Sequence, residues 1–185
     1  MPEKRARLSP DDWLRAGFTA LVSTGANALG AEPLARRLKT TKGSFYWHFK
    51  DLTDFRARLL DHWTAASKRV IIAARAADGS PTQKLHRLAE ILQPEDAAHG
   101  GAGVERAIRA WAQSDETVAT ALAEIDRARL AYVSEMLRAI GLTNPEFPRL
   151  VYGAYLGIEA LPGDPSDNAG ALSTLTAALL ALQDA

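Results

Sequence analysis

Apolar residues recur at the i, i+3, i+4, i+7 spacing through almost every segment of this chain, and few stretches alternate as half-buried strands do. That pattern admits an all-α fold and little else. Punctuation by Gly, Pro, Asp and Ser divides it into about nine helices, with no internal repeat and no low-complexity tract.

The first helix opens at Ser9, with Pro10 in first position and Asp11 and Asp12 in the first turn. These residues suit an N-cap, a preset φ and the positive end of the helix dipole. Leu14, Phe18, Leu21 and Val22 are expected on one inward face, flanked by Trp13, Gly17 and Ala20, and Gly25 ends the helix. A short second helix starts at Gly30, carries Pro33 in its first turn, points Leu34, Ala35 and Leu38 inward and turns Arg36 and Arg37 outward. After Lys39, Thr40 and Thr41 a third short helix runs to about Phe49, and Asp51 caps a long fourth reaching about Ala77. Further helices are expected at 82–93, 104–113, 115–140, 145–161 and 167–183. The seventh is amphipathic through Val118, Leu122, Ile125, Tyr132, Met136 and Ile140, and PEDAAHGGAG (94–103) reads as a loop.

At 47% hydrophobic, the 185 residues have ample material for a packed core. The chain contains no cysteine, which excludes disulfides, thiolate metal sites and thiol nucleophiles. MPEKRARLSP has no apolar signal core, and no run approaches the 18 or so apolar residues of a membrane helix, so a soluble cytoplasmic protein with no membrane partner is expected. Net charge is zero, yet residues 1–60 hold 11 Lys and Arg against 6 Asp and Glu, while the remainder holds 11 against 16. The basic first third suits a phosphate-facing module, because neutralising phosphates releases counterions.

Three short helices, the second and third joined tightly, are what a helix-turn-helix requires. Its third helix must enter a major groove roughly 12 Å wide and present polar side chains from its start. Thr41, Lys42, Ser44, Tyr46, Trp47 and His48 are placed to do so. With Phe45 and Phe49 facing the bundle, the intervening Tyr46, Trp47 and His48 turn outward, and exposed aromatic residues usually have a partner.

Here the sequence resembles the TetR family of transcriptional regulators. TKGSFYWHF (41–49) is similar to that family's S-K-G-T-L-Y-H-H-F stretch, with WLRAGFTALVSTG (13–25) and PLARRL (33–38) upstream. The resemblance is close over about residues 9–63, and RAWAQSDETVATAL (109–122) is similar to a segment of the family's regulatory domains. It implies a helix-turn-helix DNA-binding domain over 1–50 and a helical regulatory and dimerisation domain over 51–185. It further implies a homodimer, usually a repressor, on palindromic double-stranded operator DNA, released by a small-molecule effector. No cofactor, metal or catalytic residue is called for.

By this resemblance the DNA-facing set is Thr41, Lys42, Ser44, Tyr46, Trp47 and His48, with Gly43 letting the backbone approach a phosphate. Three positions depart from the family. Its usual turn glycine is Lys39 here, so either a non-glycine residue takes positive φ or the turn differs. The apolar residue usual next is Thr40, and the lysine common at the start of the fourth helix is Leu52, which leaves that phosphate contact to Lys50 or the helix N-terminus. Arg36, Arg37 and Lys39 either compensate or form a solvated face.

Toward the C-terminus, Gly153, Ala154, Gly157 and Ala160 beside Leu156 would let another helix approach closely, and Leu172, Leu175, Leu179 and Leu182 form a stripe on the last helix. The family pairs two such helices across a twofold axis; packing within one chain is the other reading. An effector pocket among the fourth to eighth helices would draw on Trp63, Leu88, Leu92, Trp111, Tyr132 and Tyr155, with His62, His99 or Glu159 as polar contacts.

Two rival classes stay open. An enzyme finds little support: His48, His62, His86 and His99 include no H-E-x-x-H pair, GGAG (100–103) follows no strand, and no serine sits in a nucleophile motif. A helical metal site using His62, His86 or His99 with an acid is the remaining enzymatic form. The other rival is a dimeric adaptor without DNA binding.

Overall fold

Helix boundaries in this chain follow from caps written into the local sequence. In the computed structural model, which describes residues 8–86, 103–161 and 165–181, helix α1 (Pro10–Thr24) starts on a capping box. The Ser9 hydroxyl accepts from the Asp12 N–H, and the Asp12 carboxylate accepts from the Ser9 N–H at 2.8 Å. That reciprocal bond, and then the Ser9 hydroxyl, hold the Asp12 carboxyl below its ordinary range. The Ser-Pro signature recurs at Ser80 and Pro81, where Gln83 replaces the aspartate and returns its side-chain oxygen to the Ser80 N–H at 2.8 Å.

After a 3-10 turn at Ala26–Ala28 come α2 (Ala31–Arg37), α3 (Lys42–Tyr46), α4 (Leu52–Ala76) and α5 (Pro81–His86). Then follow α6 (Val104–Ala112), α7 (Glu116–Ala139), α8 (Phe147–Ala160) and α9 (Pro165–Ala181). The described residues form helices joined by turns and contain no strand, as the apolar period requires. No helix among them is long and apolar enough to cross a membrane. Residues 87–93 of the expected fifth helix, and all of the expected loop but Gly103, lie outside the described residues.

The chain divides into two compact units, Met1–Ala66 with Glu95–Leu122, and Ser67–Pro94 with Ala123–Ala185. The first is built on aromatic rings. Trp13, Phe18, Phe45, Phe49 and Phe55 are all buried, and Phe45 sits within 5.0–5.4 Å of the rings of Trp13, Phe49 and Phe55. Gly17 allows α1 and α4 to touch, since a Cβ there would lie 2.8 Å from the Phe55 ring and 3.2 Å from Leu59. One expected core residue is displaced: Val22 is 39% exposed, while its flanking neighbour Trp13 is completely covered. The covered arc of α1 is therefore rotated toward Trp13. Leu38, expected inward, is half-buried, and Leu29 in the loop before α2 is fully buried.

The second unit is built around Tyr132, Val133, Leu137, Val151, Tyr152 and Tyr155, with Ile71 from α4 and Leu179 from α9. Within it Arg75 of α4 holds Glu135 of α7 through two hydrogen bonds, at 2.8 and 3.1 Å. Both side chains are about half exposed, so the pair fixes geometry more than it adds stability.

Candidate nucleic-acid interface

Helix α3 is five residues long, too short to hold itself together, and its position is set by capping and by the aromatic core. The Thr41 side chain accepts from the Ser44 N–H at its start. It ends sooner than the sequence pattern suggested: Trp47 is its C-cap, and His48 and Phe49 both donate their N–H groups to the Phe45 carbonyl in a tightened last turn. With Phe45 0% and Phe49 1% exposed, the intervening side chains have no room inside. Tyr46 is 50% and Trp47 79% exposed, and the Tyr46 ring packs edge-on to Phe45 at 5.3 Å.

Around this pair Thr41, Lys42, Gly43 and Lys50 are exposed, and Ser44 and His48 are half-buried. The structure thus gathers these expected contact residues on α3 and its two flanks. Two arginines are already engaged: Arg36 pairs with Glu32 at 3.2 Å, and Arg37 donates to the Ser23 hydroxyl at 3.0 Å. The first is a solvated pair of little intrinsic strength.

Lys39 answers the question raised by the missing turn glycine. The backbone keeps the left-handed turn, with Lys39 at φ 51°, the one positive-φ non-glycine among the described residues. The Lys39 N–H reaches the Arg36 carbonyl and the Thr40 N–H the Ala35 carbonyl, the pattern that closes α2 before the chain turns into α3. Thr40 is half-buried in place of the usual apolar residue, and Leu52, also half-buried, opens α4. That opening is tied by Asp51, which accepts from the Asp54 N–H at 2.8 Å, and by Asp54, which accepts from the Lys50 N–H at 3.0 Å. The Lys50 N–H and then the Arg58 guanidinium hold the Asp54 carboxyl below its ordinary range.

The expected effector-pocket residues fall in different units. His62 is half-buried with its ring 5.9 Å from Phe18, and Trp63 and Trp111 are buried, all in the first unit. Tyr132 and Tyr155 belong to the core of the second, where Glu159 lies on α8. Leu88, Leu92 and His99 lie outside the described residues. Among the described residues no three His, Asp or Glu side chains converge as metal ligands.

On α8, Gly153, Gly157 and Ala160 are exposed, a Cβ on either glycine would meet nothing within 4 Å, and Leu150 and Leu161 are 64% and 62% exposed. Leu156 and Leu175 are half-buried against the core of their own unit, and Leu179 is inside it. Leu172 lies on α9, and Leu182 is outside the described residues.

A polar cluster in the second unit escaped the sequence reading. The Tyr152 hydroxyl donates to Asp126 at 2.7 Å and accepts from Arg129, which is 2% exposed. Burial pushes the Tyr152 phenol up to about 12, with the adjacent Asp126 carboxylate acting in the same direction and Arg129 against it. The available signal was Arg129 itself, a charge four residues after Ile125 and three before Tyr132 on the apolar stripe of α7.

No protein-family model matches the chain. It is 28% identical over 97 residues to the transcriptional regulator AcuR of Cereibacter sphaeroides, a match that spans 51% of this chain and 44% of that relative. Two solved structures assigned to the TetR-family transcriptional regulators resemble it nearly end to end. One, from Rhodococcus, has a TM-score of 0.64 at 18% identity over 92% of this chain and 98% of its own. The other, from Mesorhizobium loti, has a TM-score of 0.61 at 17% identity over 94% and 96%. At these identities the likeness establishes a shared helical fold.

Proposed function

With the fold of TetR-family regulators as the premise, we propose that this chain is a transcriptional regulator of that type, a homodimer that represses from a palindromic operator until a small molecule releases it. The observation that carries the reading is the exposure of Tyr46 and Trp47 between the buried Phe45 and Phe49. A helix that served packing alone has no reason to hold two large rings in water.

In this reading residues 1–50 are the DNA-binding part and 51–185 the regulatory and dimerising part. Lys42, Tyr46 and His48 bond phosphates or base edges, Trp47 lies against sugar or a thymine methyl, and Gly43 admits the backbone to a phosphate. Lys50, Arg36 and Lys39 add charge, and Thr41 and Ser44 add short polar contacts at the start of the helix. The exposed small residues of α8, flanked by Leu150 and Leu161, support pairing with a second copy, which sets two recognition helices about 34–36 Å apart on one face of the duplex. The effector acts within 51–185 by binding one arrangement better than the other, and its differential affinity limits the shift.

Selection of bound sequences from a random duplex pool with the purified protein tests this reading. A palindromic consensus, with affinity falling steeply as salt rises, is the expected result. A pool that enriches no sequence refutes operator binding and favours the adaptor reading.

A further inference from the structure

Most arginines beside the candidate DNA-facing helix already have partners. Arg36 meets Glu32 at 3.2 Å, Arg37 donates to Ser23 at 3.0 Å, and Arg58 bonds Asp54 at 2.9 Å with its guanidinium 5.5 Å from the centre of the Phe49 ring. Arg56, one turn into α4, has no ion pair and no hydrogen bond among the described residues. Its Nε is covered without an acceptor, while its terminal nitrogens are not buried, so the side chain runs under cover and ends in water. A methionine of similar reach would fill the same place and leave no buried donor unsatisfied. Packing alone therefore does not account for the arginine.

Arg56 shares one face of α4 with Leu52 and Leu60, four residues away on either side, the first half-buried and the second 6% exposed. Helical side chains lean toward the N-terminus of their own helix, so the guanidinium stands over the first turn of α4. That turn is joined to α3 through residues 47–51. The backbone there has little to offer an anion, since Asp51 takes the Asp54 N–H at 2.8 Å and Asp54 takes the Lys50 N–H at 3.0 Å. These two carboxylates repel a phosphate, and Lys50 and Arg58 only balance them. Arg56 is the remaining charge of residues 50–58 and makes the junction positive.

We propose that Arg56 is a phosphate-binding residue, whose terminal nitrogens bond a backbone phosphate of duplex DNA at the α3–α4 junction, beside Lys50. A contact of this kind fixes the register of α3 on the duplex and carries no base information. It rests on the operator-binding reading and extends the DNA-binding surface past residue 50 into α4.

The test titrates the full chain with a duplex recovered from the random pool and with a duplex of unrelated sequence, each at several salt concentrations. The unrelated duplex keeps a phosphate contact measurable even where no consensus emerges. Arg56→Met and Arg56→Gln should each weaken both duplexes by the same factor, roughly tenfold, and reduce the slope of log affinity against log salt by about two for a dimer, with circular dichroism unchanged. Leu52→Lys combined with Arg56→Met returns a cation to the same face and should restore the slope, which a role in packing does not predict. A wild type that binds neither duplex refutes operator binding and this contact with it. A slope that both single variants leave unchanged, a loss confined to the selected duplex, or a double variant as weak as Arg56→Met overturns the contact alone.

Discussion

Replacing Lys39 by glycine should make this protein more stable although it removes a charged side chain at the candidate DNA interface. At φ 51° the Cβ of an L-residue crowds its own following carbonyl, at a cost of roughly 1–2 kcal/mol. Glycine escapes that cost but gives the unfolded chain more freedom, which returns about 0.5–1 kcal/mol. The net gain is about 1 kcal/mol, near a fivefold change in the folding equilibrium, or about 2–4 °C in Tm for a chain of this size. Lys39→Ala is the necessary companion, since it keeps the strained backbone and removes the ammonium. Whatever the ammonium contributes is lost equally from both variants, so the difference between them isolates the backbone. The assay is thermal and urea unfolding at one protomer concentration, because association would make Tm concentration-dependent. Lys39→Gly should exceed Lys39→Ala by about 1 kcal/mol, while operator affinity of the two variants falls by the same factor. If alanine matches glycine in stability, the left-handed turn is not where the strain resides and the reasoning fails.

Three other outcomes follow from the same geometry. Tyr46→Ala with Trp47→Ala should reduce operator affinity at least about tenfold in a salt-controlled binding titration while leaving circular dichroism intact, because both rings are largely solvated; unchanged affinity would remove α3 from the interface. Gly17→Ala should destabilise despite alanine's helix propensity, because a Cβ 2.8 Å from Phe55 adds roughly 1–3 kcal/mol of crowding against about 1 kcal/mol of propensity; a rise in the urea midpoint would show that the ring moves freely. Tyr152 ionises near pH 10 when unfolded and near 12 when folded, so the stability it contributes is complete below pH 10 and is lost as pH rises through about 12. Tyr152→Phe should lack that part of the alkaline decline, and identical wild-type and variant slopes between pH 10 and 12 would exclude the assignment.

What this sequence determined by itself are the features whose partners lie within a turn or two along the chain. Ser9 with Asp12, Ser80 with Gln83 and Asp51 with Asp54 start helices, and Gly25 and Gly141 turn the chain at positive φ after α1 and α7. The outward turn of Tyr46 and Trp47 was legible for the same reason, because Phe45 and Phe49 flank them on one short helix. Periodicity also located the apolar faces of α1 and α7 to within about one residue. It could not fix how far each face extends, which depends on what covers it. Val22 is left open at a cleft, Trp13 is sealed by Phe45, and Arg129 is buried on an apolar stripe where the Tyr152 hydroxyl, 23 residues away and itself bonded to Asp126, accepts from it. Leu179 belongs to the core of its own unit, whereas Gly153 and Gly157 are exposed with nothing near them, a distinction invisible to a pattern that scores all small and apolar positions alike. At Lys39 local chemistry disfavours positive φ, and tertiary structure imposes it. The bonds closing α2, together with the anchoring of Phe45 in the aromatic core, leave the intervening residue no other conformation.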